Sequence, residues 1–512
     1  MPGGALSPLV AGGIVFFTSG AVLILEILAL RLLAPYVGVT IETYTATIAT
    51  VLAGISFGTW LGGWAADQVQ PRRLLGPLLV AGGGLALLSV PLVRGLGSTG
   101  GGSGVGLSLL GFFLPAAVLS AVSPTVVKLQ LRDLATTGRV VGRLSALGTA
   151  GAIIGTYFAG FVLIEAAPTS TSILAVGGVL VLAGVVLWLR LWPGAGIRAG
   201  VAVLVAAALT AGLGAAVGDP CDVETVYHCA RVVEDPDRPG GRLLVLDTVR
   251  HSYVDLDDPT HLEFAYARVF ADVIATLAPP GPLRALHVGG GGFTLPRYLR
   301  VVRPGSTGTV LEIDPGLVRL SRDRLGLETG PDLDVFVGDA RVLLGSVAGG
   351  PERPFERGAG PERPFERGAG PYDLVLGDAF GGLAVPWHLT TREFLAEVRS
   401  RLAPGGVYLM NLIDYPPLRF ARAELATLSG LFDGLALIAP PDVIEGRRGG
   451  NLVLVAGAGP LDVDRLAGAI AARGGAEVVV AGPALAELVG GAPVLTDDWA
   501  PVDQWLSRAR PG

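Results

Sequence analysis

The first 218 residues are dominated by long apolar runs that contain few charged side chains. Seven of these runs have the length of a membrane span, at 8–34, 42–66, 74–94, 105–127, 144–165, 170–190 and 197–217. A helix needs roughly 20 apolar residues to cross the hydrocarbon core of a bilayer. The pattern therefore predicts an α-helical membrane bundle of about seven spans over residues 1–218, with membrane lipid around it.

The apolar positions follow shorter periods after residue 218. Runs at 242–246 and 252–256 predict a small β-hairpin region, and a helical spacing follows at 263–275, so residues 219–282 form a linker, this hairpin region and an entry helix. Strand-like and helix-like segments then alternate, with strands at 283–288, 309–313, 333–337, 372–376 and 406–412 and helices at 295–302, 317–325 and 392–402. Such alternation is typical of a parallel sheet in a doubly wound α/β fold, which predicts a Rossmann-like domain over residues 283–512.

Residues 351–370 interrupt this alternation. They consist of the decamer PERPFERGAG, which occurs twice without a break. Because the repeat is rich in Pro, Gly and charge and has few residues that could fill a core, it predicts a disordered surface insertion without a catalytic role.

The amino-acid composition limits the kinds of partner that the protein can bind. Charged residues make up 16% of the chain, and a soluble globular protein holds about 25%. The deficit is concentrated in residues 1–218, in agreement with a membrane domain there. The formal net charge of −6 provides no basic field for nucleic acid, so no nucleic-acid partner is expected.

The basic residues of the bundle lie mainly at one end of the predicted spans. The loops after spans two, four and six and their flanks carry Arg72, Arg73, Lys128, Arg132, Arg139, Arg143, Arg190 and Arg198. The opposite loops offer Arg31 and Arg94. By the positive-inside rule the N-terminus lies in the cytoplasm and the segment after span seven lies outside. This orientation conflicts with the cytosolic supply of nucleoside co-substrates, so the sequence leaves open which side of the cell membrane holds the C-terminal domain.

The chain has two cysteines, Cys221 and Cys229, directly after span seven. In an oxidising compartment they would form a disulfide, and in a reducing one they would remain separate thiols. The sequence allows both states.

Glu26 lies inside the first predicted span. An acid at membrane depth is costly and must face a partner or a water-filled cavity. The position predicts either a polar ligand or proton site in the bundle, or a structural ion pair, for example with Arg31.

Glycines and acids follow four predicted strands at the point where each strand ends. Glycines 289–292 follow the first strand, Glu312 ends the second, and Asp339 and Asp378 follow the third and fourth. Ligands of doubly wound sheets bind beyond the carboxyl ends of the strands, and an acid at the end of the second strand can hold ribose hydroxyls. The combination predicts a nucleoside site. The loop lacks a clean G-x-G-x-x-G, which disfavours NAD and leaves S-adenosylmethionine (AdoMet) and its decarboxylated form.

These segments resemble the spermidine synthase (polyamine aminopropyltransferase) family, whose motifs are matched at 245–247, 263–266, 283–291, 311–314, 338–340 and 372–378. The membrane half is similar to a subgroup in which such a domain is fused to a multispanning region, with matching segments at 19–26, 61–67 and 142–155. The resemblance covers nearly the whole chain apart from the repeated decamer. It implies a class I methyltransferase-type α/β fold for the C-terminal domain.

The resemblance implies transfer of an aminopropyl group from decarboxylated AdoMet to a putrescine-type amine, with release of methylthioadenosine. Asp378 would orient and deprotonate the attacking amine, and Tyr266 would hydrogen-bond to it. An alkyl amine has a pKa near ~10, so at neutral pH it must lose a proton before it can attack. No metal is expected, and soluble relatives commonly pair as homodimers.

The co-substrate would be held by residues at successive strand ends. By the resemblance, Glu312 would bind the ribose, and Asp339 with Ala340 would bind the adenine. His228 falls where the family usually has a glutamine beside the nucleoside. The remaining expected contacts come from the glycine loop, at Gly289, Gly290 and Gly291.

The chain departs from the family at several polar positions. Gly292 stands where an aspartate usually faces the free amine of the co-substrate, and Gly381 replaces a second acid that helps to bind a diamine. Ala267 and Arg268 follow Tyr266 in place of the usual His or Gln and Glu. Two alternatives therefore stay open. One is an AdoMet-dependent methyltransferase. The other is a transporter or receptor bundle whose soluble domain binds a nucleoside or polyamine without turnover.

Overall fold

A computed structural model describes residues 6–99, 104–131, 133–192, 197–345 and 370–508. The chain divides into two compact units, Met1–Cys229 and Ala230–Gly512. The insertion predicted at 351–370 lies outside the described residues except for Gly370.

The first unit is helical, as its apolar pattern predicted. Within the described ranges, seven helices are long and apolar enough to cross a membrane: α1 (Pro8–Val37), α2 (Ile41–Gln68), α3 (Pro71–Ser98), α4 (Gly104–Gln130), α5 (Thr137–Ala166), α6 (Thr169–Leu191) and α7 (Ile197–Ala216). Each helix contains most or all of one predicted span, and the largest difference is in α5, which begins at Thr137 and not at 144, so the predicted helical bundle is confirmed.

Glycines allow these helices to pack at very short distances. A Cβ atom placed on Gly155 of α5 would lie 2.5 Å from the carbonyl oxygen of Gly20 in α1. A Cβ on Gly62 of α2 would lie 2.5 Å from the Cα of Ala121 in α4. Neither distance leaves room for a side chain, so these positions require glycine if the backbones are to touch.

Two arginines hold the segment that follows α7 against the bundle. Arg94, near the end of α3, donates to Asp219 Oδ2 at 3.0 Å and to the carbonyl oxygen of Val217 at 2.8 Å. Arg31 of α1 lies 3.4 Å from Glu224, which belongs to the short strand β1 (Val223–Glu224). The carboxylate of Glu224 also accepts a hydrogen bond from the backbone N–H of Thr169 at 3.0 Å.

Cys221 and Cys229 of this segment are joined in a disulfide, with their Cα atoms 5.2 Å apart. Of the two states that the sequence allowed, the structure therefore shows the oxidised one. The ion pair suggested between Glu26 and Arg31 is wrong, because Arg31 forms its ion pair with Glu224. Glu26 is only 8% exposed, and its Oε2 has no hydrogen-bond partner within the part of the chain that the structure describes.

The second unit begins with antiparallel strands β2 (Cys229–Glu234), β3 (Gly241–Leu246) and β4 (Val249–Asp255), where the hairpin region was predicted. Its main sheet has eight strands in the order β12-β10-β11-β9-β8-β5-β6-β7. They are β5 (Arg284–Val288), β6 (Thr307–Glu312), β7 (Leu333–Val337), β8 (Tyr372–Gly377), β9 (Leu402–Asp414), β10 (Gly434–Ala439), β11 (Gly450–Gly457) and β12 (Val478–Ala481).

Three of the eight strands in this sheet depart from the parallel arrangement. Strands β5 to β9 pair in parallel, as predicted. Strands β10, β11 and β12 were not predicted from the sequence, and they pair antiparallel with one another or with β9, so the sheet is mixed. Antiparallel neighbours can be joined by a short connection, as β10 and β11 are across residues 440–449.

Helices cover both faces of the sheet. They are α8 (Ala265–Thr276), α9 (Thr294–Val302), α10 (Pro315–Arg324), α11 (Ala340–Leu344), α12 (Arg392–Arg401), α13 (Arg419–Ser429), α14 (Pro441–Ile444), α15 (Val463–Ala472), α16 (Gly482–Val489) and α17 (Val502–Arg508). Helices α8, α9 and α15 pack on one face, and α11, α12, α13, α16 and α17 contribute to the core on the other. Burial on both faces explains why these strands read as nearly continuous apolar runs. The unit has the predicted class I methyltransferase-type α/β fold with a β-hairpin region at its start.

Candidate active site

The candidate site lies at the carboxyl ends of β8, β5, β6 and β7, which are neighbours in the parallel half of the sheet. The loops that leave these strands are tied to the adjacent strand by backbone hydrogen bonds of 2.9 Å, from Asp378 to Val288, from Gly289 to Leu311 and from Gly338 to Glu312. The predicted acids at 312, 339 and 378 therefore lie along one edge of the sheet.

The glycine loop after β5 requires its glycines. Gly289 and Gly291 adopt left-handed backbone conformations, with φ values of +95° and +52°. A Cβ atom on Gly289 would lie 2.6 Å from the carbonyl oxygen of Asp378. The backbone N–H groups of Gly290 and Gly291 donate to Glu312 Oε2 at 2.8 and 3.1 Å. The loop is thus folded around the carboxylate at the end of the next strand.

Glu312 is buried, with 6% of its surface exposed. Its other oxygen, Oε1, accepts a hydrogen bond from the backbone N–H of Asp314 at 2.9 Å. Burial raises the pKa of Glu312 above its ordinary value, although the amides of Asp314, Gly290 and Gly291 favour the charged form. A carboxylate has about four acceptor positions, so one more donor, such as a ribose hydroxyl, can be accommodated.

Asp339 caps the helix that follows β7. Its Oδ1 accepts hydrogen bonds from the backbone N–H groups of Arg341 and Val342 at 2.8 and 3.2 Å. Its Oδ2 lies 3.0 Å from Nε2 of His388. Burial alone would raise the pKa of Asp339, but the hydrogen bond with His388 and the backbone donors outweigh it and lower the pKa. Ala340 is the first residue of α11 and is buried beneath this cap.

The loop around Asp339 is anchored from distant parts of the chain. The guanidinium of Arg341 donates to the carbonyl oxygen of His388 at 2.8 Å and to Thr391 Oγ1 at 2.7 Å. It also forms an ion pair with Asp497, near the C-terminus. Asp339, Trp387 and His388 line a cavity beside these contacts. His388 could not be predicted from the sequence, because its partner Asp339 is 49 positions away and no motif joins the two residues.

Asp378 has one hydrogen-bond donor on each carboxylate oxygen. The hydroxyl of Tyr266, on α8, donates to Oδ2 at 3.1 Å, and Nδ2 of Asn411, on β9, donates to Oδ1 at 2.9 Å. Burial raises the pKa of Asp378 to about 6, and the two donors oppose that rise. The group is therefore a carboxylate at neutral pH with a basicity well above that of an exposed aspartate.

A second cavity connects Asp378 with the glycine loop and α8. Tyr266, Phe264, Leu295 and Leu376 are among its lining residues, together with Gly289 and Gly290. The ring of Tyr266 stacks on Phe264 with the centroids 6.0 Å apart. Burial, and then the charge of Asp378, raise the pKa of Tyr266, so its hydroxyl remains a donor. An apolar wall with an acid and a hydroxyl at one end suits an alkyl amine.

The structure explains two of the departures from the family pattern. The backbone N–H of Gly292 donates to Ser252 Oγ at 3.0 Å, and a Cβ at 292 would lie 2.8 Å from the Cβ of Ser252. An aspartate at this position would need Ser252 to move. Arg268 donates to the carbonyl oxygens of Leu262 and Glu263 at 2.9 and 2.8 Å, so it fixes the segment before α8.

The structure brings some of the predicted site residues together and places others apart. Gly289, Gly290, Glu312, Asp378 and Tyr266 lie together around the rim of the sheet. Asp339 lies at the same rim and lines the other cavity. His228 belongs to the first compact unit, so its contact with the nucleoside stays a prediction.

No family model matches the chain. A polyamine aminopropyltransferase from Vibrio vulnificus (strain CMCP6) is 30% identical over 178 residues, which cover 35% of this chain and 53% of that protein. An eEF1A lysine and N-terminal methyltransferase from Homo sapiens is 29% identical over 139 residues, which cover 26% of this chain and 18% of that protein. A probable spermidine synthase from Corynebacterium glutamicum ATCC 13032 aligns with a TM-score of 0.47 at 28% identity, covering 55% of this chain and 97% of that one.

The fold and the acids at its strand ends define a Rossmann-like domain of the class I methyltransferase type. Within that class, the sequence match to a polyamine aminopropyltransferase confirms that the chain resembles the spermidine synthase family. The chain spans about half the length of this curated relative, at 53%.

Proposed function

We propose that the C-terminal unit is an aminopropyltransferase that uses decarboxylated AdoMet and a small-molecule amine. The observation that carries this proposal is the carboxylate of Asp378, which lies in a cavity beside the hydroxyl of Tyr266 and the glycine loop. A base with a pKa of about 6 is suited to accept a proton from an amine near neutral pH.

In the proposed reaction, the amine nitrogen attacks the methylene carbon that is bonded to the sulfonium. A carbon–nitrogen bond forms, the carbon–sulfur bond breaks, and the sulfur keeps the electron pair as the thioether of methylthioadenosine. The ammonium proton of the attacking amine passes to Asp378. The hydroxyl of Tyr266 donates to Oδ2 of Asp378, and the remaining lone pairs of this carboxylate are left for the amine.

The residues at the rim fit the nucleoside part of such a co-substrate. Glu312 is already ordered by the amides of Gly290 and Gly291 and retains acceptor capacity for ribose hydroxyls. Asp339 offers a carboxylate next to a cavity lined by Trp387 and His388, where an adenine amino group can donate. These assignments follow the resemblance to the family and the position of each acid at its strand end.

The direct test is an assay of the detergent-solubilised full chain with decarboxylated AdoMet and a panel of amines. Formation of methylthioadenosine in proportion to one amine is the expected result. Binding of methylthioadenosine, measured by calorimetry, shows that the site is folded. A folded, binding-competent protein that produces no methylthioadenosine with any amine would refute the proposal.

An AdoMet-dependent methyltransferase is the second candidate, because the chain also matches a eukaryotic methyltransferase and has Gly292 in place of an acid. Calorimetry with AdoMet and with decarboxylated AdoMet separates the two. The aminopropyltransferase requires tighter binding of the decarboxylated form. Equal or tighter binding of AdoMet, together with methyl transfer, would favour the second candidate.

We further propose that the C-terminal unit lies on the non-cytoplasmic side of the membrane, which requires the nucleoside co-substrate to reach that side. The disulfide Cys221–Cys229 directly precedes it, and such bonds persist in oxidising compartments. The basic residues at the other end of the predicted spans also outnumber the two at this end, Arg31 and Arg94, which favours the same orientation by the positive-inside rule.

Single cysteines test this location, because both natural thiols are joined. One is placed at Glu328, whose side chain is 86% exposed in the C-terminal unit, and its matched control is placed at the exposed Gln70 between α2 and α3. A membrane-impermeant maleimide should label the first in intact cells and the second only after lysis. The reverse pattern, or labelling of the unmodified chain, would overturn the proposed location.

A further inference from the structure

The chain contains only two asparagines, Asn411 and Asn451, and the structure places them in contact with each other. Nδ2 of Asn451 donates to Oδ1 of Asn411 at 3.0 Å. Asn411 in turn donates through Nδ2 to Oδ1 of Asp378 at 2.9 Å. Every asparagine of the protein therefore belongs to one hydrogen-bonded chain that ends on the proposed base.

Three neighbouring strands contribute to this chain. Asp378 follows β8, Asn411 lies near the end of β9, and Asn451 lies near the start of the antiparallel β11, so all three are at the same edge of the sheet. They continue rows of buried apolar residues on the face that α8 covers, namely Leu374 and Leu376, Val407 and Leu409, and Val453 and Val455. Each apolar row changes to a polar residue where it reaches the site.

The amide side chain of Asn411 lies in a buried environment, where a polar group lowers the stability of the fold unless it is hydrogen-bonded. Asn411 is 2% exposed, and a buried amide without partners would destabilise the fold. Both of its polar atoms are satisfied, one by Asp378 and one by Asn451. An apolar residue would fill the same space more cheaply, so its amide is best explained by its contact with the carboxylate.

Two partners agree on the orientation of the Asn411 amide. The carboxylate of Asp378 can only accept, so it requires the NH₂ group of Asn411 on its side, and Asn451 holds that orientation by donating to the oxygen of Asn411. The opposite orientation would place the amide oxygen of Asn411 against the carboxylate, where the two acceptors repel. Asn451 itself is exposed, so its contribution is to orientation and not to the core.

We propose, as an extension of the proposed function, that Asn411 and Asn451 are positioning residues for the proton-accepting carboxylate of Asp378. Asn411 occupies one lone pair of Oδ1 and Tyr266 one of Oδ2, which fixes the plane of the carboxylate and leaves its remaining lone pairs toward the cavity. An amide cannot pass a proton along such a chain at a useful rate, so the chain holds the acid and does not relay protons.

The variants that test this are Asn411→Leu, Asn451→Ala and the double variant. Removing a hydrogen bond to a charged group should raise the midpoint of the acid limb of kcat/KM by about one to two pH units in Asn411→Leu. Asn451→Ala should shift the midpoint in the same direction by less, and the double variant should equal Asn411→Leu. KM for the amine should change less than kcat. Val478→Ala, at an exposed position of β12, is the control and should shift nothing.

A readout without turnover keeps this test separate from the proposed function. The infrared difference between the full chain and its Asp378→Asn variant, recorded as a function of pH, reports the titration of this one carboxyl group. The proposal expects that titration to move upward in Asn411→Leu and in Asn451→Ala. If the midpoint is unchanged in both variants while the difference band is present, the proposal is wrong, whether or not the wild-type chain turns over an amine.

Discussion

Two buried acids in the α/β unit show how a site differs from a core. Asp378 is at the rim of the parallel half, with a donor on each oxygen and a cavity beside it. Glu424 is in α13, on the face opposite α8, with none of its surface exposed, and within the described ranges neither of its oxygens has a hydrogen-bond partner. Burial raises the pKa of both groups.

The comparison teaches that a raised pKa alone does not identify a functional acid. Asp378 has donors that favour its charged form and lines a cavity, so it can gain and lose a proton near pH 6. Glu424 has neither, and it is therefore held in its neutral form. Hydrogen-bond donors and a neighbouring cavity, and not burial, distinguish Asp378 from Glu424.

The largest effect is expected for Asp378→Asn. Loss of a positioned base reduces a rate by about 10²- to 10⁴-fold, so kcat of the full chain should fall by that factor. Methylthioadenosine binding should be retained. Glu26→Gln in the bundle is the matched control, because it also neutralises a buried acid, and it should leave turnover unchanged. Loss of turnover in Glu26→Gln with turnover retained in Asp378→Asn would contradict the assignment of Asp378 as the base.

The pH profile provides the next largest effect. Asp378 must be ionised to accept a proton, and its pKa is raised to about 6. The value of kcat/KM should therefore be constant above pH ~7 and fall about tenfold per pH unit below 6. A profile that continues unchanged down to pH ~4.5 would show that another group accepts the proton.

Glu312→Gln should weaken nucleoside binding. Its amide nitrogen would face either the N–H of Asp314 or those of Gly290 and Gly291, so one set of donors loses its acceptor. Loss of hydrogen bonds to a charged group costs about 1.5–3 kcal/mol, which corresponds to a roughly 10- to 100-fold increase in Kd for methylthioadenosine. Calorimetry measures this value, with adenine, which lacks the ribose, as the control ligand whose affinity should change much less.

Glu424→Leu should have no effect on turnover and should stabilise the protein. A buried carboxyl without partners costs about 1–3 kcal/mol, and an apolar residue of similar size removes that cost. Burial raises the pKa of Glu424 in the folded state. The protonated carboxyl therefore makes its full contribution to stability below the pKa of the unfolded state, and this contribution is lost as the pH rises toward the pKa of the folded state. The gain in thermal midpoint should thus be larger at pH 8 than at pH 4. A gain that does not grow with pH would contradict this account.

The sequence by itself determined the elements and the chemical class of the α/β unit. Apolar runs of span length gave the seven helices, and the predicted strand at 333–337 coincides with β7 (Leu333–Val337). Acids at the ends of three parallel strands were predictable as a group, because parallel strands deliver their carboxyl ends to one edge. Such local patterns need no knowledge of distant contacts.

Only the tertiary structure decided the partners of those acids. Asn411 reaches Asp378 because β9 lies beside β8, and Asn451 reaches Asn411 because β11 enters the sheet antiparallel to β9. His388 and Asp497 converge on the loop of Asp339 from positions far along the chain. Sequence spacing carries no record of which strands become neighbours, since that choice is made by the burial of apolar faces over the whole sheet. The sequence therefore shows which residues can do chemistry, and the packing of the strands decides which of them meet.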